Sequence, residues 1–322
     1  MDNRELIEST LTNLRAPVTV LDVTRSAQVI TYRCRPGKNV RVNKVRLRSE
    51  DLAMVLGVER VNVVRLDGCI GIEVPRQDRR FVPLRRAIVQ PEFTKAQVNM
   101  HLPLCFGVDK SGKVVTRDLA TFPHLLIAGQ TGSGKSIAVH SIIKCLLATR
   151  SREDVRLVLI DPKRVELGVY QNHEQVLAFK DDMYEASNTL HWATMEMDRR
   201  YEQMKDAGAR DVSELGLYRL AIVIDELADL MLQSHSAEHR LIRLGQLGRA
   251  AGVHVVAATQ RPTVDVVTGL IKANMPARLA FKTVSYVDSR VILDQKGAEG
   301  LLGKGDGLLL VDGELIRVQG CF

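Results

Sequence analysis

Eight consecutive residues, Gly129, Gln130, Thr131, Gly132, Ser133, Gly134, Lys135 and Ser136, have the spacing G-x-x-x-x-G-K-[ST]. Glycines at these positions let backbone N–H groups turn toward a phosphate, and a helix opening behind them adds the positive end of its dipole. In such a loop Lys135 brings charge to the β- and γ-phosphates of ATP, and Ser136 brings a hydroxyl to Mg²⁺. A chance glycine turn has no reason to follow a strand and to start a helix. Here the short apolar run Leu125 to Ala128 precedes the loop, and a helical pattern from Ile137 to Ala148 follows it. The residues are therefore read as a nucleotide-binding loop with ATP and Mg²⁺ as its cofactors.

A second signal is the apolar run Ala221 to Ile224 that ends in Asp225-Glu226. At the edge where a sheet meets its ligand, Asp225 can hold Mg²⁺ through water and Glu226 can polarise a water for attack on the γ-phosphate. Alone, the pattern is weak and more often describes a strand running into solvent; beside a phosphate loop on the same sheet it acquires a chemical meaning. The run Val253 to Thr259 ends in Gln260-Arg261, and Gln260 is either a γ-phosphate or water-orienting group or a strand cap. Arg249 falls at an expected helix end just before that strand. It is either a surface arginine or a finger completing a neighbouring subunit's site. His235-Ser236-Ala237-Glu238-His239 has the H-x-x-E-H spacing of inverted zinc metalloproteases. No third ligand is evident, and the stretch Gln233 to Arg240 is polar, so zinc ranks last. Trp192 is expected to anchor a helix, and the remaining cysteines and histidines to sit as core or surface residues.

These groups meet only if strands deliver them to one edge. The 322 residues are 45% apolar and 26% charged, which excludes disorder and leaves enough chain for two domains. Forty-five Lys and Arg against 38 Asp and Glu leave +7, a mild surplus compatible with a polyanion partner. Five scattered cysteines without a C-x-x-C pair indicate neither a disulfide framework nor a zinc knuckle, so a reducing cytoplasm is expected. The opening MDNRELIEST lacks the apolar core of a secretion signal, and no apolar run reaches the ~18 residues of a membrane helix, so a soluble chain is expected. Up to residue 84, a short helix (Glu5 to Leu14) and the runs Pro17 to Val23, Gln28 to Cys34, Val61 to Leu66 and Gly71 to Val74 read as a small α+β domain. Turns at Pro36-Gly37 and Asp67-Gly68 bound them. Arg85 to Pro103 reads as a linker, with a boundary near residue 90. Beyond it, Leu125 to Ala128, Arg156 to Ile160, Leu220 to Ile224, Val253 to Thr259, Arg278 to Phe281 and Leu308 to Val311 alternate with helical patterns. That texture implies an α/β domain with a mainly parallel sheet covered on both faces.

Several segments together resemble the motor of FtsK/SpoIIIE-type DNA translocases: Pro123-His124-Leu125, Leu159-Ile160-Asp161-Pro162-Lys163, Met197-Asp198-Arg199-Arg200-Tyr201, Asp225 to Leu230 and Ala258-Thr259-Gln260-Arg261-Pro262. The likeness continues through Asp265 to Asn274, Asp288 to Asp294 and Leu301-Leu302-Gly303. It implies an α-like domain over 1–84 and a RecA-like P-loop motor over 85–322. It further implies a hexameric ring pumping double-stranded DNA, with ATP sites at subunit interfaces. Arg249 matches the trans-acting finger, and Arg261, Lys272 and Arg290 match pore-loop residues, with Tyr286 standing where the family commonly carries Lys. Three departures accompany the likeness: no membrane segment, no winged-helix domain after residue 322, and a shortened insertion near Ala207 to Arg219. Anchoring and orientation are therefore expected to lie outside this sequence. Two other readings stay open: a conjugation-type coupling ATPase, and a nucleotide-dependent assembly protein without motor activity.

Overall fold

The computed structural model describes residues 3–26, 29–66, 68–76 and 81–322, and the backbone alone of His235. Asp67 of the expected Asp67-Gly68 turn, Gln28 of the expected strand and the first two residues of the opening decapeptide lie outside them. The chain divides into two units, one ending at Phe81 and including Lys110–Gly112, the other comprising Val82–Asp109 and Lys113–Phe322.

In the first unit, α1 (Asn3–Asn13) precedes β1 (Val18–Arg25) and β2 (Val29–Pro36), then α2 (Val42–Arg46), α3 (Ser49–Val55), β3 (Asn62–Leu66) and β4 (Cys69–Pro75). The strands form an antiparallel sheet in the order β1-β2-β4-β3. Ile7 and Leu11, one helical turn apart on α1, pack with Val45, Leu52, Tyr32, Ile70 and Ile72 into its core. The helices α2 and α3 were not expected from the sequence. Only Val45, Leu52 and Ala53 of their residues are buried, and Lys44, Arg46 and Arg48 dilute the apolar period.

The second unit starts with α4 (Leu84–Ala87) and α5 (Pro91–Gln97), so the stretch expected to be a linker is helical and belongs to this unit. Pro91 occupies the first turn of α5, where its missing N–H costs nothing, and Phe93 behind it is fully buried. There follow β5 (Pro103–Val108), β6 (Val114–Asp118), β7 (His124–Ala128), α6 (Lys135–Thr149), β8 (Val155–Ile160), β9 (Val176–Lys180) and α7 (Met183–Ala207). The chain continues through β10 (Arg219–Ile224), α8 (Leu227–Gln233), α9 (His235–Leu247), β11 (Val253–Thr259), α10 (Gly269–Asn274), β12 (Ala277–Phe281), α11 (Tyr286–Leu293), β13 (Asp306–Val311) and β14 (Glu314–Gln319).

One sheet runs β6-β5-β14-β13-β12-β7-β11-β10-β8-β9, parallel from β12 to β9 and antiparallel elsewhere. Its faces fill two separate cores. Leu126, Ile222, Ile224 and Val255 point to one, with α7, α8 and α9. Leu125, Ile127, Val223 and Val256 point to the other, with α6. The alternation is the strand pleat, and burial on both faces explains why these strands read as unbroken apolar runs. Trp192 departs from expectation: on α7 its side chain stays 39% exposed rather than anchoring the helix. No helix among the described residues is long and apolar enough to cross a membrane.

Candidate functional site

The loop between β7 and α6 is held by the neighbouring strand ends. Gly129 N–H donates to Thr259 O at the end of β11 (3.3 Å), and Gln130 N–H to Lys282 O after β12 (2.9 Å). At Gly134, which opens α6, φ is +115°, and an added Cβ would lie 2.6 Å from Gly305 N and 2.8 Å from its Cα. Only glycine fits there, because both clashes are with backbone. Gly305 N–H in turn donates to Ser133 O (2.8 Å), so the turn before β13 braces the loop from behind. Gly132 also has positive φ, and the Ser133 hydroxyl is buried without a partner among the described residues. Thr131 Oγ1 donates to Gln260 Oε1 at 2.9 Å, which ties the loop to the residue following β11.

Parallel strand order brings the acidic residues to the same edge. Lys135 Nζ donates to Asp225 Oδ1 and to Asp225 O, each at 2.9 Å, and both side chains are buried. Asp161, at the end of β8 and fully buried, accepts N–H groups of Glu166 and Leu167 at Oδ2, while its Oδ1 has no partner among the described residues. Burial raises the Asp225 pKa; Lys135 pulls it down, and the charges of Asp161 and Glu166 push it further up. Glu226 is buried as well. Its Oε1 accepts Thr259 Oγ1 (2.8 Å) and Gln260 N–H (3.2 Å), and its Oε2 lies 3.1 Å from Lys163 Nζ. Lys163 also meets Asp229 Oδ2 at 3.4 Å. Burial depresses the Lys163 ammonium, but its hydrogen bonds and charge pairing with Glu226 and Asp229 outweigh this and raise its pKa.

Residues 129–136, Asp225, Glu226 and Gln260 are thus brought together, and Ser136 stands half-buried in the first turn of α6. Asp161 and Lys163 join them, although no role was read for either in the sequence. The available signal was a third apolar strand ending in charged residues.

Arg249 does not join this cluster within one chain. It is exposed, two residues beyond α9, at the amino end of β11, whereas the loop and the acids occupy the carboxyl ends. At that same sheet end His124 and His254 are buried; burial pulls His124 down to about 4 and His254 well below its ordinary value. Arg261 is exposed just past β11.

The expectation that Lys272 and Arg290, like Arg261, lie in loops is corrected: Lys272 is on α10 and Arg290 on α11, whose first residue is Tyr286. Thr268 and Ser285 start these helices by accepting the N–H groups of Ile271 and Asp288, and Asp288 completes a capping box. Lys272 Nζ pairs with Asp294 Oδ1 at 2.6 Å, Tyr286 lies under Lys296 Nζ, and Arg290 is exposed. The zinc alternative gains nothing. Glu238 accepts from Thr268 Oγ1 (2.8 Å), the His235 side chain lies outside the description, and no group of three or more His, Cys, Asp or Glu among the described residues could hold a metal.

Comparison with known proteins gives the same picture at family level. Residues 84–219 and 213–264 match the FtsK/SpoIIIE family, and residues 1–76 match the FtsK alpha domain. The DNA translocase FtsK of Caldanaerobacter subterraneus subsp. tengcongensis is 42% identical across all of this chain and 47% of its own length, so the chain spans about half of that relative. Among solved structures, the pCW3 conjugation coupling protein TcpA, in a monomer form with ATPgS, superposes with a TM-score of 0.70 at 20% identity, covering 100% of this chain and 95% of its own. The cytoplasmic domain of the Thermomonospora curvata Type VII secretion ATPase EccC gives 0.63 at 25% identity, over 69% of this chain and 29% of that one. The fold is shared across these P-loop ATPases.

Proposed function

Because the chain belongs to the FtsK/SpoIIIE family, we propose that it is an ATP-hydrolysing motor that translocates double-stranded DNA in the cytoplasm. The first unit, ending at Phe81, forms its α-like domain, and the second, from Val82, its motor domain. The observation that carries this reading is the cluster of buried Lys135, Asp225 and Glu226 with half-buried Gln260 around the phosphate loop. Residues 129–136 hold the ATP phosphates, Lys135 meets the β- and γ-phosphates, Glu226 polarises the attacking water, and Gln260 orients it.

The donor set fits Mg²⁺ on the nucleotide. The ion needs only one or two protein oxygens when phosphates supply others. Asp225 has a raised pKa beside Asp161, whose Oδ1 is buried without a partner among the described residues, so positive charge is wanted there. Ser136 and Asp225 would hold the ion, directly and through water, and it would neutralise charge on the phosphates.

Arg249, remote from this chain's own loop and exposed, acts on a neighbour's site, which requires a ring; a hexamer is the family's form. Arg261, Lys272, Tyr286 and Arg290 contact the DNA backbone from the pore. Lys272 must then exchange Asp294 for a phosphate, an exposed pairing of the kind worth about 0–1 kcal/mol.

The deciding measurement is ATP turnover with duplex, single-stranded and no DNA. Stimulation by duplex across unrelated sequences supports the translocase. Equal or greater stimulation by single strands supports the coupling ATPase, and no stimulation supports the assembly protein.

A further inference from the structure

A carboxylate polarises a water best from an oxygen that no cation holds. The two oxygens of Glu226 accept about four donors and already take three, and the one open position is on Oε2, whose basicity the bound ammonium lowers. Oε1 already takes two donors, Thr259 Oγ1 and Gln260 N–H, and Oε2 takes the Lys163 ammonium. The three partners are not equally removable. Thr259 is fully buried in β11, and Gln260 N–H belongs to the backbone at that strand's end. The Lys163 side chain is 43% exposed against 2% for Glu226, so the ammonium approaches from the solvent side. Lys163 is therefore the one partner that can withdraw without disturbing the sheet. It also has a second seat, Asp229 Oδ2, at 3.4 Å on the first turn of α8.

The turn that carries Lys163 is anchored in the nucleotide end of the site. Asp161 accepts the N–H groups of Glu166 and Leu167 and so closes the segment 161–167 around Lys163. The same Asp161 lies close enough to Asp225 to act on its charge. A change of charge at Asp225 thus bears on the base of the turn that presents Lys163.

We propose that Lys163 is a positioning residue that occupies Glu226 in the resting site and passes to Asp229 before Glu226 accepts a water. The inference rests on the reading of Glu226 as the water-polarising group. The hand-over breaks no covalent bond and moves no proton; one ammonium changes carboxylate partner.

The test is ATP turnover without DNA for the full chain and for Lys163→Met, Lys163→Arg, Asp229→Asn and Glu226→Gln. Releasing the latch in Lys163→Met should raise DNA-free turnover about two- to fivefold, the weight that a half-exposed ion pair can place on an equilibrium. KM for ATP should not change, and Lys163→Arg should return to the parent rate. Damage to packing cannot produce that gain. Asp229→Asn removes the second seat and should lower duplex-stimulated turnover, and Lys163→Met in the same chain should reverse the loss. Turnover in Lys163→Met at or below the parent rate, with its melting temperature retained, overturns the proposal. Should Lys163→Met fail to fold, Asp229→Asn decides alone, and an unchanged stimulated rate overturns it. Turnover by Glu226→Gln would instead remove the reading of Glu226, a separate failure.

Discussion

Replacing Lys135 with alanine probes the site through stability as well as chemistry. The ammonium is the hydrogen-bonded counter-ion of Asp225, 2.9 Å from Oδ1, with both side chains 3% exposed. Asp161 places a second buried carboxylate nearby. Removing one member of a buried ion pair costs about 3–5 kcal/mol, because the other charge stays desolvated. At roughly 2–4 °C per kcal/mol for a domain of this size, the nucleotide-free melting temperature should fall by about 10 °C. Asp225 can shed part of that cost by taking a proton. Burial, with Asp161 and Glu166, already raises its pKa against the pull of Lys135, and the substitution removes the pull. The folded chain then holds this proton to higher pH than the unfolded chain. The contribution of Asp225 is therefore intact below its unfolded value and lost as pH rises through its folded one. Lys135→Ala should be closest to the parent in mildly acid buffer and furthest from it in alkaline buffer. Adding Asp225→Asn deletes the stranded charge, so the double variant should recover to within about 3 °C of the parent while turning over no ATP. Thermal unfolding followed by circular dichroism across pH, with phosphate release alongside, reads both effects. A Lys135→Ala chain that melts with the parent at every pH refutes the reasoning, as does a double variant that recovers nothing.

Glu226→Gln should bind ATP and release phosphate at no more than a few per cent of the parent rate, checked by nucleotide binding and single-turnover kinetics. Mixed with Arg249→Ala, itself inactive, it should regain turnover, because some interfaces then hold both intact groups; flat activity at all ratios, with subunit exchange demonstrated, would count against action in trans. Gly134→Ala should lose ATP binding, since its Cβ would strike the Gly305 backbone at 2.6 Å and displace the loop; equilibrium binding measures it. A Lys272→Ala, Arg290→Ala double variant should flatten the dependence of duplex affinity on log salt by about 0.9 per lost phosphate contact, equally for unrelated sequences, and Tyr286→Lys should steepen it.

What could be read from the sequence follows burial. The strands β7, β8, β10 and β11 are apolar on both faces, so each shows as an unbroken run. The edge strand β9 has an apolar run, Val176 to Phe179, but no fully buried residue, and polar neighbours on both sides leave it without a helix–strand rhythm; β14 carries Glu314 and Arg317 among its partly exposed positions, so its run is broken. β5 is wholly buried, yet the stretch ahead of it reads as a linker in sequence because Pro91 and Pro103 interrupt the pattern. In the structure one proline starts a helix and the other starts a strand.

The site divides along a different line. A phosphate loop and a strand ending in Asp-Glu are local patterns, legible because the spacing itself is the chemistry. Lys163 and Gly305 belong to the site only through strand order. Lys163 reaches Glu226 because β8 lies directly beside β10, although 63 positions separate the two residues. Gly305 reaches the loop because β12 lies between β7 and β13 and carries the turn before β13 back toward Ser133. The order also explains how the charges are balanced. Asp161, Asp225 and Glu226 are carried to one edge by two adjacent strands, and each is buried. Lys135 and Lys163 supply only two ammonium groups against them, and Lys163 is shared with Asp229. Buried carboxylates in excess of their counter-ions are costly and are relieved by whatever brings positive charge to Asp161 and Asp225. The same imbalance leaves Lys163 drawn by two carboxylates at once, which is the condition for a partner that can change seats.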